Sequence, residues 1–350
     1  MHGGDIYRNR ITYDFSVNLN PAGMPRKVRE ALEDAVKHAG EYPDLQHAAL
    51  REALAEKFGL PSEWFVLGNG ASELIPAVIR MRKPQRTMIT APSYLGYRVA
   101  LSNAVPEGKV LRIPLSESGH FQIPENLPHQ ILQEKPELLI LTNPNNPTGL
   151  LILRKQIRDI AAACKQVGCL FLLDECFMTL TGQSKEYSML SQDLSEYPNL
   201  VVLRAFTKTY AIPGVRLGYG VCSDGELCQP LRRQLPEWNL SVFAERAGLA
   251  CLQSEDYLER SFAQIAEERT FLWEGLTRLG FKVVPSEANY LLFQTTYRNS
   301  DWNLAEKLLS QGILIRSCGD YEGLDNSFYR IAVLDREKNQ ILLDRISQML

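Results

Sequence analysis

Lys208, Asp174 and Asn146 are three polar side chains that each follow an apolar run of strand length. Lys208 lies in RAFTKTYAIPGVRLGYG (204–220), between stretches that read as core. A lysine in a partly desolvated cleft has its pKa lowered, and its free amine forms a Schiff base with an aldehyde. Asp174 closes CLFLLD. A carboxylate in that place can keep a pyridine nitrogen protonated, and a protonated ring draws electrons from a bound amine. Asn146, in TNPNNPTG, offers an amide to a ring oxygen. LGNGASEL (67–74) opens a helix whose free N–H groups at Gly70, Ala71 and Ser72 suit an anion. Arg216 adds a fixed positive charge for the same anion, and Tyr94 in APSYLGY a flat face for a ring. Each has a plainer reading: a solvated lysine, a surface strand end, an ordinary helix cap. Their order along the chain, each at a strand end, favours the chemical one.

The elements that must position them alternate. Short β-branched or Leu-rich runs at 64–67, 86–91, 109–113, 137–142, 169–174, 199–204 and 215–221 predict seven strands. Between them lie helical patterns such as 72–82, where Pro76 predicts a kink, and 154–168. This is an α/β pattern with a large, mostly parallel seven-stranded sheet. After Ser241 the pattern changes to one long helical run, roughly 241–279, then FKVVP, NYLLF, ILIRS and FYRIAV, predicting a smaller α+β domain. The expected division is 1–40, an arm and helix joining the small domain; 41–240, the large domain; and 241–350, the interdomain helix and small domain. In open parallel sheets ligands sit beyond the carboxyl ends of the strands. Asn146, Asp174 and Lys208 therefore face one crevice, and together they meet the needs of pyridoxal phosphate.

Composition narrows the function classes. The chain has 350 residues, 45% hydrophobic, and a net charge of −3, which gives no electrostatic case for nucleic acid or an anionic membrane. Apolar runs such as LLILT and CLFLL are too short to span a bilayer, and MHGGDIYRNR lacks the core of a signal peptide. Seven cysteines lack paired spacing; Cys164, Cys169, Cys176 and Cys251, in apolar or helical surroundings, read as reduced thiols, a cytoplasmic protein is expected, and no metal site is.

NGASE, APSY, NPNNPTG, LDE and TKTYAIPGVRLGYG resemble the fold-type I pyridoxal phosphate enzymes of the class I/II aminotransferase superfamily, over nearly the whole length. The resemblance implies a homodimer in which Lys208 is the Schiff-base lysine and Asp174 the partner of the ring nitrogen. It implies further that Asn146 meets the phenolic oxygen, Tyr94 stacks on the ring, and Gly70, Ala71, Ser72 and Arg216 hold the phosphate. Tyr42 in EYPDLQHAAL is similar to a tyrosine that reaches the phosphate across the dimer interface, and Arg330 in FYRIAV to an arginine that grips the substrate anion.

Two branches are nearest: histidinol-phosphate aminotransferases and the threonine-phosphate decarboxylases of cobalamin biosynthesis. HGGDIY followed by YDFSVNLNP, Phe177 in LDECFMTL, and ILIRSCGDYEGLD resemble the decarboxylases. That implies a small phosphorylated amino acid as substrate, with Arg330, Arg316 and His2 or Asn18 holding its phosphate. The bond that breaks at Cα is the one held perpendicular to the ring. A decarboxylase must place the carboxylate there; an aminotransferase places Cα–H there. At the level of residues, Arg316 stays open between ligand and surface cation, and His2 between ligand and loose terminus. Ala205 departs from the Ser or Thr that many relatives use on the cofactor phosphate, with Thr207 as the candidate replacement. A non-catalytic cofactor-binding sensor is disfavoured, because no helix-turn-helix pattern or basic segment accompanies the site.

Overall fold

The computed structural model of the chain describes residues 3–296 and 303–350. A two-residue strand, β1 (Tyr13–Asp14), comes first. The large sheet follows: β2 (Phe65–Gly68), β3 (Arg86–Ala91), β4 (Lys109–Pro114), β5 (Leu138–Thr142), β6 (Leu170–Asp174), β7 (Leu200–Ala205) and β8 (Gly218–Val221). Its spatial order is β2-β8-β7-β6-β5-β3-β4. β8 runs antiparallel to both neighbours, and the other pairs are parallel. All seven expected strands form. The last starts late, at Gly218, because Arg216 takes a left-handed φ of 61°.

Near-continuous apolar runs make these strands because both faces of the sheet are covered. Leu139, Leu141, Phe171, Leu173 and Val202 enter one core. Their neighbours Leu138, Ile140, Leu170, Leu172 and Val201 enter the other. Helix Ala71–Arg82 continues through Pro76. The proline stands early in the helix, so its missing N–H removes a single helical bond. The run expected as one helix over 241–279 is two, Val242–Leu252 and Glu255–Arg278. At the break, the Ser254 hydroxyl donates back to the Ala250 carbonyl at 2.9 Å, an alternative to continuing the helix.

The smaller sheet holds β9 (Lys282–Val283), β10 (Tyr290–Gln294), β12 (Arg316–Ser317) and β13 (Phe328–Ala332), in the order β12-β13-β10-β9; β11 (Ile313–Leu314) pairs parallel with β1. Leu291, Phe293 and Ile331 pack there against Leu272, Leu276, Leu342 and Ile346 from two helices. The N-terminal forty residues divide between the two cores. Phe15 enters the small one, whereas helix Arg26–Ala35 sends Val28 into the large one.

Cross-strand register aligns the site. Thr142 pairs with Asp174, Asp174 with Leu203, and Ala205 and Gly68 each with Gly218. A Cβ at Gly218 would lie 2.6 Å from the Ala71 nitrogen, so only glycine lets the start of helix Ala71–Arg82 approach the strand ends. Cys164, Cys169, Cys176 and Cys251 are free thiols as expected, while Cys222 and Cys228 are joined through their sulfurs. A separation of six residues brings their Cα atoms to 6.3 Å, within bridging range. Among the described residues no helix is long and apolar enough to cross a membrane, and no cluster of three or more acidic, His or Cys side chains is arranged for a metal.

Candidate active site

A cavity of about 730 Å³ opens beyond these strand ends. Ala71, Ser72, Tyr94, Asn146, Asp174, Lys208 and Arg216 line it, together with Asn18, Arg316 and Arg330. Sequence positions far apart thus meet on one surface.

Lys208 sits in the short helix Phe206–Thr209 that turns off β7. Burial pushes its ammonium down to about 8, and the positive charges of Arg330 and Arg216 push the same way. About a tenth of this amine is therefore unprotonated at pH 7, far more than for an ordinary lysine. Asp174, at the end of β6, is 5% exposed. Its Oδ2 accepts from the Tyr97 hydroxyl at 2.6 Å and its Oδ1 from the Cys176 N–H at 2.9 Å. Tyr97 also meets the Thr142 hydroxyl at 3.0 Å and stands edge-on to the Tyr94 ring, 5.4 Å between centroids. Tyr97 is a site residue not singled out from the sequence. The available signal was its place three residues after Tyr94 at the start of helix Leu95–Ala104, which puts both rings on one side.

One residue beyond Asp174 and one before Ala205 stands a buried ion pair, Glu175 with Arg204, at 2.8 Å. Ser188 and Thr179 take the guanidinium's other bonds, at 2.7 and 2.8 Å, and the Met189 N–H donates to Glu175. Such a pair is tolerated in the interior when its hydrogen bonds are made, and it ties β6 to β7 just behind Asp174 and Lys208.

At the other end of the wall, Gly70 precedes helix Ala71–Arg82 with φ 78°. A Cβ there would come within 2.8 Å of an Arg216 nitrogen. Arg216 in turn donates to the Ser72 hydroxyl at 2.8 Å. Helix N–H groups, a hydroxyl and a guanidinium converge, as an anion site requires. Ala205 and Thr207 face the same cavity.

The opposite wall comes from the small domain and the arm. Arg330 is 6% exposed and donates to Asn146 Oδ1 at 2.6 Å and to the Ser16 carbonyl at 2.8 Å. Its Nε and the Asn18 Oδ1 are buried without a hydrogen-bond partner among the described residues. Arg316 is buried too, 3% exposed, which resolves the choice between surface cation and cavity wall. Phe177 lines the cavity and packs edge-on against Tyr290, 5.1 Å between centroids. Tyr42 is not among the described residues that line the cavity. It is 81% exposed and packs against Trp238 at 4.9 Å. His2 lies outside the described residues.

A seven-stranded, mostly parallel sheet with a smaller α+β unit, carrying a lysine and an aspartate at adjacent strand ends, defines a fold-type I pyridoxal phosphate enzyme. The chain belongs to the class I and II aminotransferase family, whose pattern matches residues 10–346. It is 36% identical to the threonine-phosphate decarboxylase of Salmonella typhimurium, across 100% of this chain and 96% of that one. It is 31% identical to histidinol-phosphate aminotransferase 2 of Archaeoglobus fulgidus, across 98% and 94%. The crystal structure of histidinol-phosphate aminotransferase from Clostridium acetobutylicum superposes with a TM-score of 0.89 at 30% identity, covering 96% and 98%. The family's cofactor, pyridoxal 5′-phosphate, fits the residues present: the anion cradle at Gly70, Ser72 and Arg216, the carboxylate of Asp174 and the depressed amine of Lys208 stand around one cavity.

Proposed function

We propose that this enzyme decarboxylates L-threonine O-3-phosphate to (R)-1-aminopropan-2-yl phosphate and CO₂, serving cobalamin biosynthesis. The observation that carries the proposal is the pair of buried arginines, Arg316 and Arg330, facing the cavity that Lys208 lines. β12 and β13 place them directly opposite each other, Arg316 against Arg330, so both guanidinium groups lie on one face of the small sheet. Two planar forks there suit a phosphate. The relative of highest identity quoted above is named as a decarboxylase of that substrate class.

When bound, pyridoxal phosphate supplies an aldehyde for the substrate amine and a protonated ring that takes up the electron pair left at Cα. The protein does the rest. Ala71, Ser72 and Arg216 hold the cofactor phosphate, with Thr207 in place of a hydroxyl at 205. Asn146 and Tyr94 fix the ring's edge and face. Asp174, itself held by Tyr97, keeps the proton on the ring nitrogen. Arg316, Arg330 and Asn18, with His2 of the arm, anchor the substrate phosphate, so that the carboxylate rather than the Cα hydrogen takes the breaking position. The Cα–carboxylate bond breaks, CO₂ leaves, and Lys208 Nζ delivers a proton to Cα. Tyr42 acts on the cofactor phosphate of the second subunit in a homodimer.

An aminotransferase acting on a phosphorylated substrate such as histidinol phosphate is the second reading, favoured by the aminotransferase relatives at 30–31% identity. Substrate dependence tests the anchoring. L-threonine without its phosphate is expected to lose both kcat and KM, since remote binding energy orients the reacting bond. If threonine matches its phosphate ester in kcat, phosphate anchoring is wrong.

A further inference from the structure

The segment GDYEG (319–323) links β12 to β13 and reaches both arginines. Asp320 places both carboxylate oxygens 2.8 Å from Arg316 Nη2, while Nη1 donates to the Ser317 carbonyl at 2.6 Å. Tyr321 lies beneath the Arg316 guanidinium, 5.1 Å from carbon to ring centroid, and its hydroxyl accepts from Arg330 at 3.4 Å. Glu322 is fixed from the large domain by Arg112 at 2.6 Å, with Arg98 at 3.6 Å. The loop is thus tethered at three successive residues.

The two arginines are not equivalent electrostatically. Arg330 donates to neutral acceptors, namely Asn146 Oδ1, the Ser16 carbonyl and the Tyr321 hydroxyl. Arg316 carries an ion pair with Asp320. Like charges directly opposite on neighbouring strands repel, and one carboxylate offsets about half of that pair's charge. A dianion entering the subsite meets the field of Asp320 as well as the two guanidinium groups.

We propose that Asp320 sets the anion affinity of the subsite: by partly neutralising Arg316 it keeps free inorganic phosphate from binding tightly there, while a substrate also held through its amine still binds. This deepens the function proposed above and rests on the arginine pair taking a phosphate. The carboxylate weakens any phosphate dianion at the subsite, and only the substrate has a second anchor, its amine, to make up the loss. The cost is some affinity for the substrate.

Inorganic phosphate is the probe, titrated calorimetrically into the cofactor-loaded enzyme so that the Ser72–Arg216 cradle is already filled. Asp320→Asn keeps an oxygen to accept from Arg316 and removes the charge. The variant is expected to bind phosphate at least about fivefold more tightly than the wild type, and its turnover of O-phosphothreonine to become correspondingly more sensitive to phosphate. The gain is expected to vanish in Arg316→Ala/Asp320→Asn. Equal or weaker phosphate binding by Asp320→Asn overturns the proposal, as does a gain that survives without Arg316, or no measurable binding to any form. Wild-type decarboxylation of O-phosphothreonine is scored separately. If it proceeds while phosphate affinity is unchanged, only the role of Asp320 falls; if it fails, the proposed function falls with it.

Discussion

The cavity has two ends built in opposite ways. At the cofactor end, Asp174, Lys208 and Ser72 hang from the ends of a sheet whose register is set by continuous apolar strands, and Asp174 already holds two hydrogen bonds. At the substrate end, Arg316, Arg330 and Asn18 come from the small sheet and the arm, and two of their polar atoms lie buried without partners among the described residues. Buried polar groups are ordinarily satisfied, and on the proposed function the substrate would supply partners to these two. The first end is preorganised for chemistry shared by a whole family. On the proposed function, the second is where the substrate is chosen.

Loss of the cofactor end should be the more damaging. Lys208→Ala is expected to abolish turnover, with the yellow absorbance of the loaded enzyme no longer bleached irreversibly onto the protein by borohydride. Activity near wild type in that variant would remove the lysine from the chemistry. Asp174→Asn follows, with a barrier increase of several kcal/mol at tenfold per about 1.4 kcal/mol, and with folding intact by circular dichroism. Tyr97→Phe removes one bond to a charged group, about 1.5–3 kcal/mol. It should therefore cost less than Asp174→Asn. The reverse order in kcat would show that Tyr97 does more than hold the aspartate.

The smallest expected effect couples the two ends. Lys208 binds a proton about as tightly as a group of pKa 8, against an ordinary 10.5, because of burial and then Arg330 and Arg216. Only the neutral amine condenses with an aldehyde, so cofactor capture by the cofactor-free enzyme should rise with pH, half-maximal about pH 8. Between about 8 and 10.5 the unfolded chain holds the extra proton, so this lysine makes the cofactor-free fold more stable as pH rises through that window. Arg330→Gln takes away a positive neighbour and should move the capture midpoint upward. A midpoint that stays fixed would mean that the substrate end does not tune the lysine.

How legible each end was in the sequence follows from the same contrast. Asp174, Asn146 and Lys208 lie within four residues of apolar runs, and strand-end placement is a local inference. Arg316 stayed ambiguous because its burial depends on β12 pairing with β13, fourteen residues later in the chain, with Arg316 opposite Arg330. Tyr97 was hidden because its bond to Asp174 spans 77 residues. Asp320 sat in a quoted motif, but its pairing with Arg316 needs the geometry of a tight loop. The docking of helix Arg26–Ala35 was hidden for a similar reason: its apolar face is plain in sequence, and which core receives Val28 is a tertiary matter. The division of the 241–279 run was hidden because the stop at Ser254 rests on a side-chain bond back to Ala250.

The central claim is that the substrate end directs bond breaking to the carboxylate. Carboxyl-labelled O-phosphothreonine, given to the cofactor-loaded enzyme over many turnovers, tests it directly. The expected result is labelled CO₂ and 1-aminopropan-2-yl phosphate in equal amounts, with the cofactor recovered as pyridoxal phosphate. Accumulation of a keto acid and pyridoxamine phosphate without CO₂ would contradict it.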